Sequence, residues 1–154
     1  MSLETKIADY GDAHDSKAII SLMREYAKIE GCDRDDLEAL PRLLSELDQG
    51  FSVLAYQETN PVGLINCFYG FSTFELRTVV NIHDVIVTES HRRRGVAGNM
   101  LARVEAEGRS RGACRLTLEV LADNVFAKRA YQKFGFGQDP SHPGIETYFM
   151  RKQL

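Results

Sequence analysis

The segment Val87–Leu101, VTESHRRRGVAGNML, constrains the fold more than any other part of the chain. After its glycine, apolar residues recur at the three- and four-residue spacing of a helix: Val96, Met100, Leu101 and Val104. A helix N-terminus already carries about half a positive charge from its aligned peptide dipoles and unpaired N–H groups. The three arginines Arg92–Arg94 directly before this helix are therefore unfavourable unless an anion lies among them.

The small residues of the same segment indicate which anion. Glycine or alanine stands at Gly95, Ala97 and Gly98, so a ligand can approach the backbone closely, and glycine reaches turns that point successive N–H groups at one spot. Such a turn at a helix N-terminus suits phosphate. The segment lacks the G-K-[ST] of the P-loop and the three glycines of the dinucleotide fingerprint. The alternative is an exposed basic loop followed by a surface helix.

Periodicity along the chain predicts the order β-α-α-β-β-β-α-β-α-β, which is one α/β domain with a mixed sheet over residues 1–154. Strands are predicted at 5–10, 51–57, 61–71, 78–87, 114–120 and 145–152, and helices at 14–30, 33–50, 96–111 and 124–136. Pro41 predicts a kink or two short helices in the second helical region. Gly50 and Gly135 are the expected helix stops, and Asn124 is the expected N-cap of the last helix.

Charge and cysteine content exclude several classes of protein. The formal net charge of −3 argues against a protein that coats nucleic acid. No apolar run approaches the ~20 residues of a membrane span, and the first residues lack the order of a signal peptide. Three scattered cysteines with no C-x-x-C pair argue against a disulfide framework and against a zinc site. We therefore expect a cytoplasmic protein without metal, membrane or nucleic-acid partners, for which a homodimer is compatible with the sequence.

The arginine loop resembles the acyl-CoA pyrophosphate loop of the GNAT superfamily of N-acetyltransferases, [RQ]-x-x-G-x-[GA], whose defining positions hold Arg92, Gly95 and Ala97 here. The following LTLEVLADNVFAKRAYQKFGF is similar to the second signature of that family, a strand, an Asn-capped helix with a tyrosine, and a closing aromatic-Gly-aromatic. The resemblance is close from residue 79 to 136 and extends to the first half only by element order. Glu89 replaces a proline that is common in the family.

The resemblance implies a GNAT-like fold in which two parallel strands, NIHDVIV and CRLTLEV, splay apart around acetyl-CoA as the cosubstrate. The pantetheine arm would pair with strand backbone, the pyrophosphate would take N–H groups from the loop, and two residues of the last helix would line the far wall. The implied cofactor-binding residues are Val85, Ile86, Val87, Arg92, Arg93, Arg94, Gly95, Val96, Ala97, Gly98, Asn124 and Tyr131.

The same resemblance implies catalytic residues. Tyr131 stands at the family's tyrosine position and is the candidate acid, because a phenol of pKa about 10 can protonate a departing thiolate; the alternative is a core aromatic beside Phe126 and Phe134. Glu119 is the first candidate for the base, as in the ribosomal-protein N-terminal acetyltransferases, and the alternative is a structural carboxylate. His83 is the second candidate, since imidazole titrates near neutral pH. Asp84, on the opposite strand face, is expected to stabilise the fold.

The acceptor is expected to be a primary amine of a small molecule or peptide, which attacks acetyl-CoA directly in a ternary complex. Carboxylates in the two segments that form the family's acceptor site suit a cationic amine, or are solvated positions near helix starts: Glu30, Asp33, Asp35, Asp36 and Glu75. Tyr69, Phe71 and Phe74 are expected to line an apolar wall or to form sheet core. The alternative functions are a non-catalytic acyl-CoA-binding regulatory domain, a protein for another nucleotide phosphate, and a nucleic-acid-binding protein.

Overall fold

The computed structural model of the chain describes residues 2–32, 34–139 and 146–154. The described residues form six strands and four α-helices in the predicted order and one additional short strand, which makes seven strands in all. These are β1 (Leu3–Ile7), α1 (Ala13–Ile29), α2 (Leu40–Leu47), β2 (Gly50–Gln57), β3 (Asn60–Ser72), β4 (Arg77–Val87), α3 (Val96–Ser110), β5 (Arg115–Leu121), α4 (Val125–Phe134), β6 (Gly137–Gln138) and β7 (Thr147–Gln153). The two-residue β6 was not predicted, because a strand of that length has no periodicity to detect.

The strands form one mixed sheet in the order β1-β2-β3-β4-β5-β7-β6. Pairing is parallel between β4 and β5, over the four residues Val79–Ile82 of β4, and antiparallel for β1 with β2, β5 with β7 and β6 with β7. β4 lies inside the sheet, which explains why its sequence is apolar on both faces. The predicted mixed α/β fold is confirmed.

The chain forms two compact units, Met1–Asn66 with Asp84–Arg103 and Cys67–His83 with Val104–Leu154. In the first unit, α1 buries its apolar face against the sheet. The core cluster there consists of Ala18, Ile19, Leu22, Leu54, Tyr56, Leu64 and Ile86. Met23 and Tyr26 of α1 pack against it, but Ile29 at the helix end is 59% exposed.

In the second unit, buried side chains of β4, β5 and β7 form the core. These include Val80, Leu116, Leu118 and Met150. The C-terminal part of α3 lies close to this core, because a Cβ at Gly108 would come within 3.3 Å to 3.4 Å of Leu154, Leu116 and Val80 side chains. The helix then ends at Ser110, close to the predicted end at residue 111, and Gly112 two residues later has φ +70°.

The second helical region differs in detail from the prediction. It divides, as Pro41 predicted, into a single 3₁₀ turn at Leu37–Ala39 and α2, with Pro41 in the first turn, where its missing N–H would have no helical partner. Gly50 does not end α2. Asp48 does so with φ 46°, a left-handed conformation that aspartate tolerates, and Gly50 begins β2.

The three cysteines are free thiols, with Cys32 exposed and Cys67 and Cys114 buried. Within the described ranges, no helix combines the length and the apolar character that crossing a membrane requires.

Candidate functional site

The backbone between β4 and α3 alternates in handedness. A single 3₁₀ turn, Glu89–His91, is followed by Arg92 in an extended conformation, with φ −63° and ψ 151°. Arg93 has φ 63° and Gly95 has φ 82°, and Arg94 between them does not share this positive φ. Such alternation turns successive N–H groups toward one side and forms an anion-binding concavity. A left-handed arginine costs about 1 kcal/mol or more, so the conformation of Arg93 is one that the loop retains against its local preference.

The N–H groups from Arg93 through Gly98, at the junction of the loop and α3, find no acceptor among the described residues. The first backbone hydrogen bond into α3 runs from Asn99 N to Gly95 O, at 3.0 Å. In the part of the chain that the structure describes, the N–H groups from Arg93 through Gly98 make no hydrogen bond to another residue. The first turn of α3 contains no acidic residue, and Asn99 Nδ2 donates to Gly95 O instead of the side chain capping the helix. An anionic ligand would provide the hydrogen-bond acceptors that these N–H groups do not have among the described residues.

The arginine side chains add positive charge to the same place. Arg92, Arg93 and Arg94 are exposed, and none of them forms an ion pair with a carboxylate among the described residues. Arg92 Nε donates to Val87 O at 3.2 Å, which folds its side chain back toward the end of β4. Three guanidinium charges without counter-charges at the positive end of a helix dipole favour an anionic ligand.

Polar contacts connect the loop to the hairpin of β2 and β3. Thr88 N donates to Val62 O at 3.0 Å. The His91 ring contacts Gln57 Oε1 through Nε2, at 2.6 Å, and the hydroxyls of Thr88 and Ser90 through Nδ1, both at 2.9 Å. From the sequence His91 was predicted only to be a loop residue. Its partner Gln57 is 34 residues away, so no local pattern indicates the contact.

The first turns of α3, directly after the loop, pack on β3. The predicted apolar face is confirmed, since Val96, Met100, Leu101 and Val104 are all buried. A Cβ at Gly63 would lie 2.7 Å from Met100 Cε and 3.1 Å from Val96 Cγ1, so a larger residue at this position of β3 would force the Met100 side chain to move. The start of α3 is therefore held closely against the sheet.

The parallel pairing of β4 with β5 ends before β4 does. The ladder with β5 is registered up to Ile82, and β4 continues to Val87. Ile86 is buried in the core under α1, so the alternation of a strand puts Val85 and Val87 on the other face, where both are half-buried. Binding of pantetheine to Val85, Ile86 and Val87 stays a prediction.

Asp84 and His83 occupy opposite faces of β4, as predicted. Asp84 Oδ2 accepts from Asn66 Nδ2 at 2.9 Å, and Asn66 Oδ1 accepts from Ser52 Oγ at 2.6 Å, so the carboxylate belongs to a polar network within the first unit. This network agrees with the structural role expected for Asp84. His83 is exposed, and its ring meets Phe68 edge-on, with the centroids 5.4 Å apart.

The other candidate residues lie in the second unit. Tyr131 of α4 is only 8% exposed and packs against Phe136, with ring centroids 6.0 Å apart. Phe126, which was an expected packing partner of Tyr131, is 74% exposed because it lies in the first turn of α4 and faces solvent. Asn124 Oδ1 accepts from Ala127 N at 3.2 Å and Gly135 ends α4 with φ 105°, so both predicted helix boundaries are confirmed. Glu119 is exposed on β5.

Two of the carboxylates expected near the acceptor, Asp36 and Glu75, pair with arginines. Asp36 accepts two hydrogen bonds from Arg34, each of 2.8 Å, and this hydrogen bonding holds the pKa of Asp36 below its ordinary value. Glu75 pairs with Arg115 at 3.0 Å. Glu30 and Asp35 are exposed, while Asp33 lies outside the described residues.

The aromatic residues of the acceptor segments do not form sheet core at the hairpin between β3 and β4. Phe71 is 63% exposed and Phe74 is 99% exposed. Tyr69 is half-buried, with the Arg111 guanidinium 5.2 Å from its ring centroid. Across the described ranges, no group of three or more His, Cys, Asp or Glu side chains is placed to hold a metal ion.

Comparison with known proteins agrees with this geometry. A family profile described as the acetyltransferase (GNAT) family matches residues 17–136. The uncharacterized N-acetyltransferase YhfO of Bacillus subtilis (strain 168) is 23% identical over 127 residues, which cover 81% of this chain and 85% of YhfO.

Two solved structures share the fold across nearly the whole chain. The NatC complex bound to Gag peptide and CoA has a TM-score of 0.78 at 16% identity, covering 100% of this chain and 99% of the matched chain. An aminoglycoside 6'-N-acetyltransferase complexed with coenzyme A has a TM-score of 0.72 at 18% identity, covering 97% and 96%. The two sequence signatures, the uncapped arginine loop and the family profile over most of the chain lead to one conclusion: this chain belongs to the GNAT family of acetyltransferases.

Proposed function

We propose that this protein is an acetyl-CoA-dependent N-acetyltransferase, formed as a single domain over residues 1–154, that acetylates a primary amine of a small molecule or peptide. The observation that carries the proposal is the run of N–H groups from Arg93 through Gly98, at an arginine-rich helix start, that bond to no other residue in the described ranges. Support comes from the related folds, because the NatC complex and the aminoglycoside acetyltransferase were both solved with CoA. The first structure contains a Gag peptide, and the second enzyme is named for an aminoglycoside. Together they support an amine as the class of acceptor and do not single out one compound.

In this proposal the loop binds the cofactor's pyrophosphate. The N–H groups of Arg93 through Gly98 donate to phosphate oxygens, and the guanidinium groups of Arg92–Arg94 surround the charge. The pantetheine arm hydrogen-bonds to the backbone of Val85–Val87, and Asn124 and Tyr131 of α4 are further cofactor contacts. No metal takes part.

The proposed chemistry is direct attack by the amine on the thioester carbonyl. A base, either Glu119 or His83, removes the amine proton, and a backbone N–H near Val85 stabilises the oxyanion that forms. The C–S bond then breaks, the acetyl group stays on nitrogen, and Tyr131 donates a proton to the departing thiolate. The exposure of Glu119 and His83 leaves both side chains accessible to a substrate.

The test of the activity is thiol release from acetyl-CoA over a panel of polyamines, amino sugars and N-terminal peptides. Turnover of at least one amine, with the acetylated product identified by mass spectrometry, is the expected result. Tight CoA binding with no acetylation of any amine would contradict the proposal and indicate a regulatory acyl-CoA-binding domain instead.

The catalytic assignments need variants. Tyr131→Phe keeps the ring that packs on Phe136 and removes only the hydroxyl, so kcat should fall by roughly 10²-fold, in the range of acid catalysis, with CoA affinity nearly unchanged. Glu119→Gln and His83→Ala then distinguish the two bases, since only removal of the true base should abolish the acidic limb of the pH–rate profile. Near-normal rates in all three variants would mean that the enzyme works by positioning alone.

A further inference from the structure

His91 is the last residue before the arginines, and both of its ring nitrogens are engaged. Gln57 Oε1 can only accept a hydrogen bond, so Nε2 of His91 carries a hydrogen and donates it across 2.6 Å. In the neutral ring Nδ1 is then an acceptor, and the hydroxyls of Thr88 and Ser90, each at 2.9 Å, are its donors. The orientation of this imidazole is therefore determined from both sides.

These contacts close a small hydrogen-bonded frame around the start of the loop. Gln57 is the last residue of β2, and Thr88 is the first residue after β4. Two backbone bonds complete the frame, from Thr88 N to Val62 O at 3.0 Å and from His91 N to Thr88 O at 2.9 Å. His91 is thus the side chain that joins the Glu89–His91 turn to β2.

The frame ends where the unpaired N–H groups begin. Arg92 is extended and Arg93 left-handed, so a rotation of the turn at His91 would re-aim every N–H group that follows. Polar binding sites lose much of their affinity when donors move by about 1 Å, which is why the residues that orient such donors matter as much as the donors.

We propose that His91 is a positioning residue that holds the phosphate-binding loop in its binding conformation through Gln57, an inference that rests on the proposed function. The proposed mechanism gives His91 no contact with a reacting atom. Its effect should be confined to the nucleotide pyrophosphate of the donor, because the loop contacts only that part of the cofactor.

The experiment compares two donors that differ in this part. Acetyl-CoA carries the pyrophosphate, and S-acetylpantetheine carries the same thioester without it. For His91→Ala we expect KM for acetyl-CoA to rise about 10-fold at unchanged kcat, while kcat/KM for S-acetylpantetheine stays at the wild-type value. His91→Gln, which can still donate to Gln57 Oε1, should recover part of the lost affinity. Gln57→Ala should reproduce the selective effect, and the double variant should be no worse than His91→Ala.

Controls separate positioning from folding. His14→Ala removes a different imidazole of the first unit, which is exposed and stacks on Tyr56, and should leave the kinetics with both donors unaffected. Equal losses on both donors in His91→Ala would overturn the proposal, because they indicate general damage to the fold, and so would an unchanged KM for acetyl-CoA.

A direct binding measurement distinguishes failure of this inference from failure of the proposed activity. Calorimetric Kd values of CoA and pantetheine are compared for wild type and His91→Ala. If wild type binds CoA without turnover, the proposed function fails, and the inference stands only if His91→Ala weakens CoA about 10-fold and pantetheine not at all. If wild type does not bind CoA, both fail.

Discussion

The first turns of α1 and α3 belong to the same compact unit and solve the same physical problem in opposite ways. At α1, Asp12 caps the helix, since its Oδ1 accepts from His14 N at 3.0 Å and from Asp15 N at 2.9 Å. Asp15 adds a carboxylate to the first turn. At α3 the residue before the helix is glycine, the first turn has no acid, and three arginines precede it.

The contrast shows how a helix start that is capped by its own chain differs from one that is not. Capping side chains and acidic first-turn residues satisfy the N–H groups and the dipole within the chain itself. At α3 the chain supplies neither, and its arginines increase the positive charge. The donors of α1 are therefore closed to an outside anion, and the donors of α3 are available to one.

The largest effect is expected when the loop backbone of α3 is blocked. Gly95 has φ 82°, and valine in that left-handed conformation costs about 1–2 kcal/mol before any clash with a ligand. Gly95→Val should raise the Kd of CoA about 10-fold or more, measured by calorimetry. Gly112→Val is the matched control, because Gly112 has φ +70° and open space beyond the other end of α3. It should lower the melting temperature and leave the Kd unchanged. Equal Kd changes in both variants would refute binding of the anion by the loop backbone.

Removing the cap of α1 should affect stability and leave binding alone. Asp12→Ala leaves the N–H groups of His14 and Asp15 without their side-chain acceptor, which should lower the free energy of unfolding by about 1 kcal/mol. Urea unfolding measures the loss, and Asp12→Asn, which keeps a capping oxygen, should recover most of it. A CoA affinity that fell with Asp12→Ala would show that the two helix starts are not independent.

Lowering the pH should reduce the free energy of unfolding through Asp15, in the first turn of α1. Burial alone would raise the pKa of this carboxyl, but hydrogen bonds from Lys6, Asp9 N and Tyr56 outweigh it, and the pKa lies below its ordinary value of 3.8. Because the pKa of Asp15 is depressed in the folded state, its stabilisation of the fold is fully present above about 3.8, the ordinary value that the unfolded chain keeps. The stabilisation is lost as the pH falls through the folded pKa.

Asp15→Asn tests this sign. The wild type should be more stable than Asp15→Asn at pH 7, and the difference should narrow below pH 3.8. We expect a gap of no more than about 1 kcal/mol, because the Lys6 side chain is 40% exposed and its ion pair with Asp15 is screened by water. Urea midpoints across the pH range measure it. A gap that stayed constant down to pH 3 would contradict the assignment.

The smallest effect is expected for a single arginine of the loop. Arg94→Ala removes an exposed charge beside several backbone donors, so CoA binding should weaken about 2- to 3-fold, near 0.5 kcal/mol, and less at high salt. Arg103→Ala removes an equally exposed arginine further along α3 and should change nothing. A loss above 10-fold for Arg94→Ala would mean that side chains, rather than the backbone, bind the anion.

Local sequence patterns were sufficient to predict α3, the ends of α4 and the loop between β4 and α3. Spacing of apolar residues predicted α3 and its buried face, and Asn124 and Gly135 predicted the ends of α4, because each signal acts within one or two helical turns. The conflict between arginines and a helix dipole is equally local. The family resemblance then added the parallel pairing of β4 with β5, which no local pattern contains.

Partners distant in the chain were decided only by the tertiary structure. The contact of His91 with Gln57, the hydrogen bond from Asn66 to Asp84 and the pairing of Glu75 with Arg115 each join residues from different elements. A polar side chain takes whichever partner the neighbouring strand brings within about 3 Å, and strand order is a property of the whole sheet. The sequence by itself therefore predicted the loop between β4 and α3 as a place for an anion, while the fold determined which side chains from other elements contact that loop.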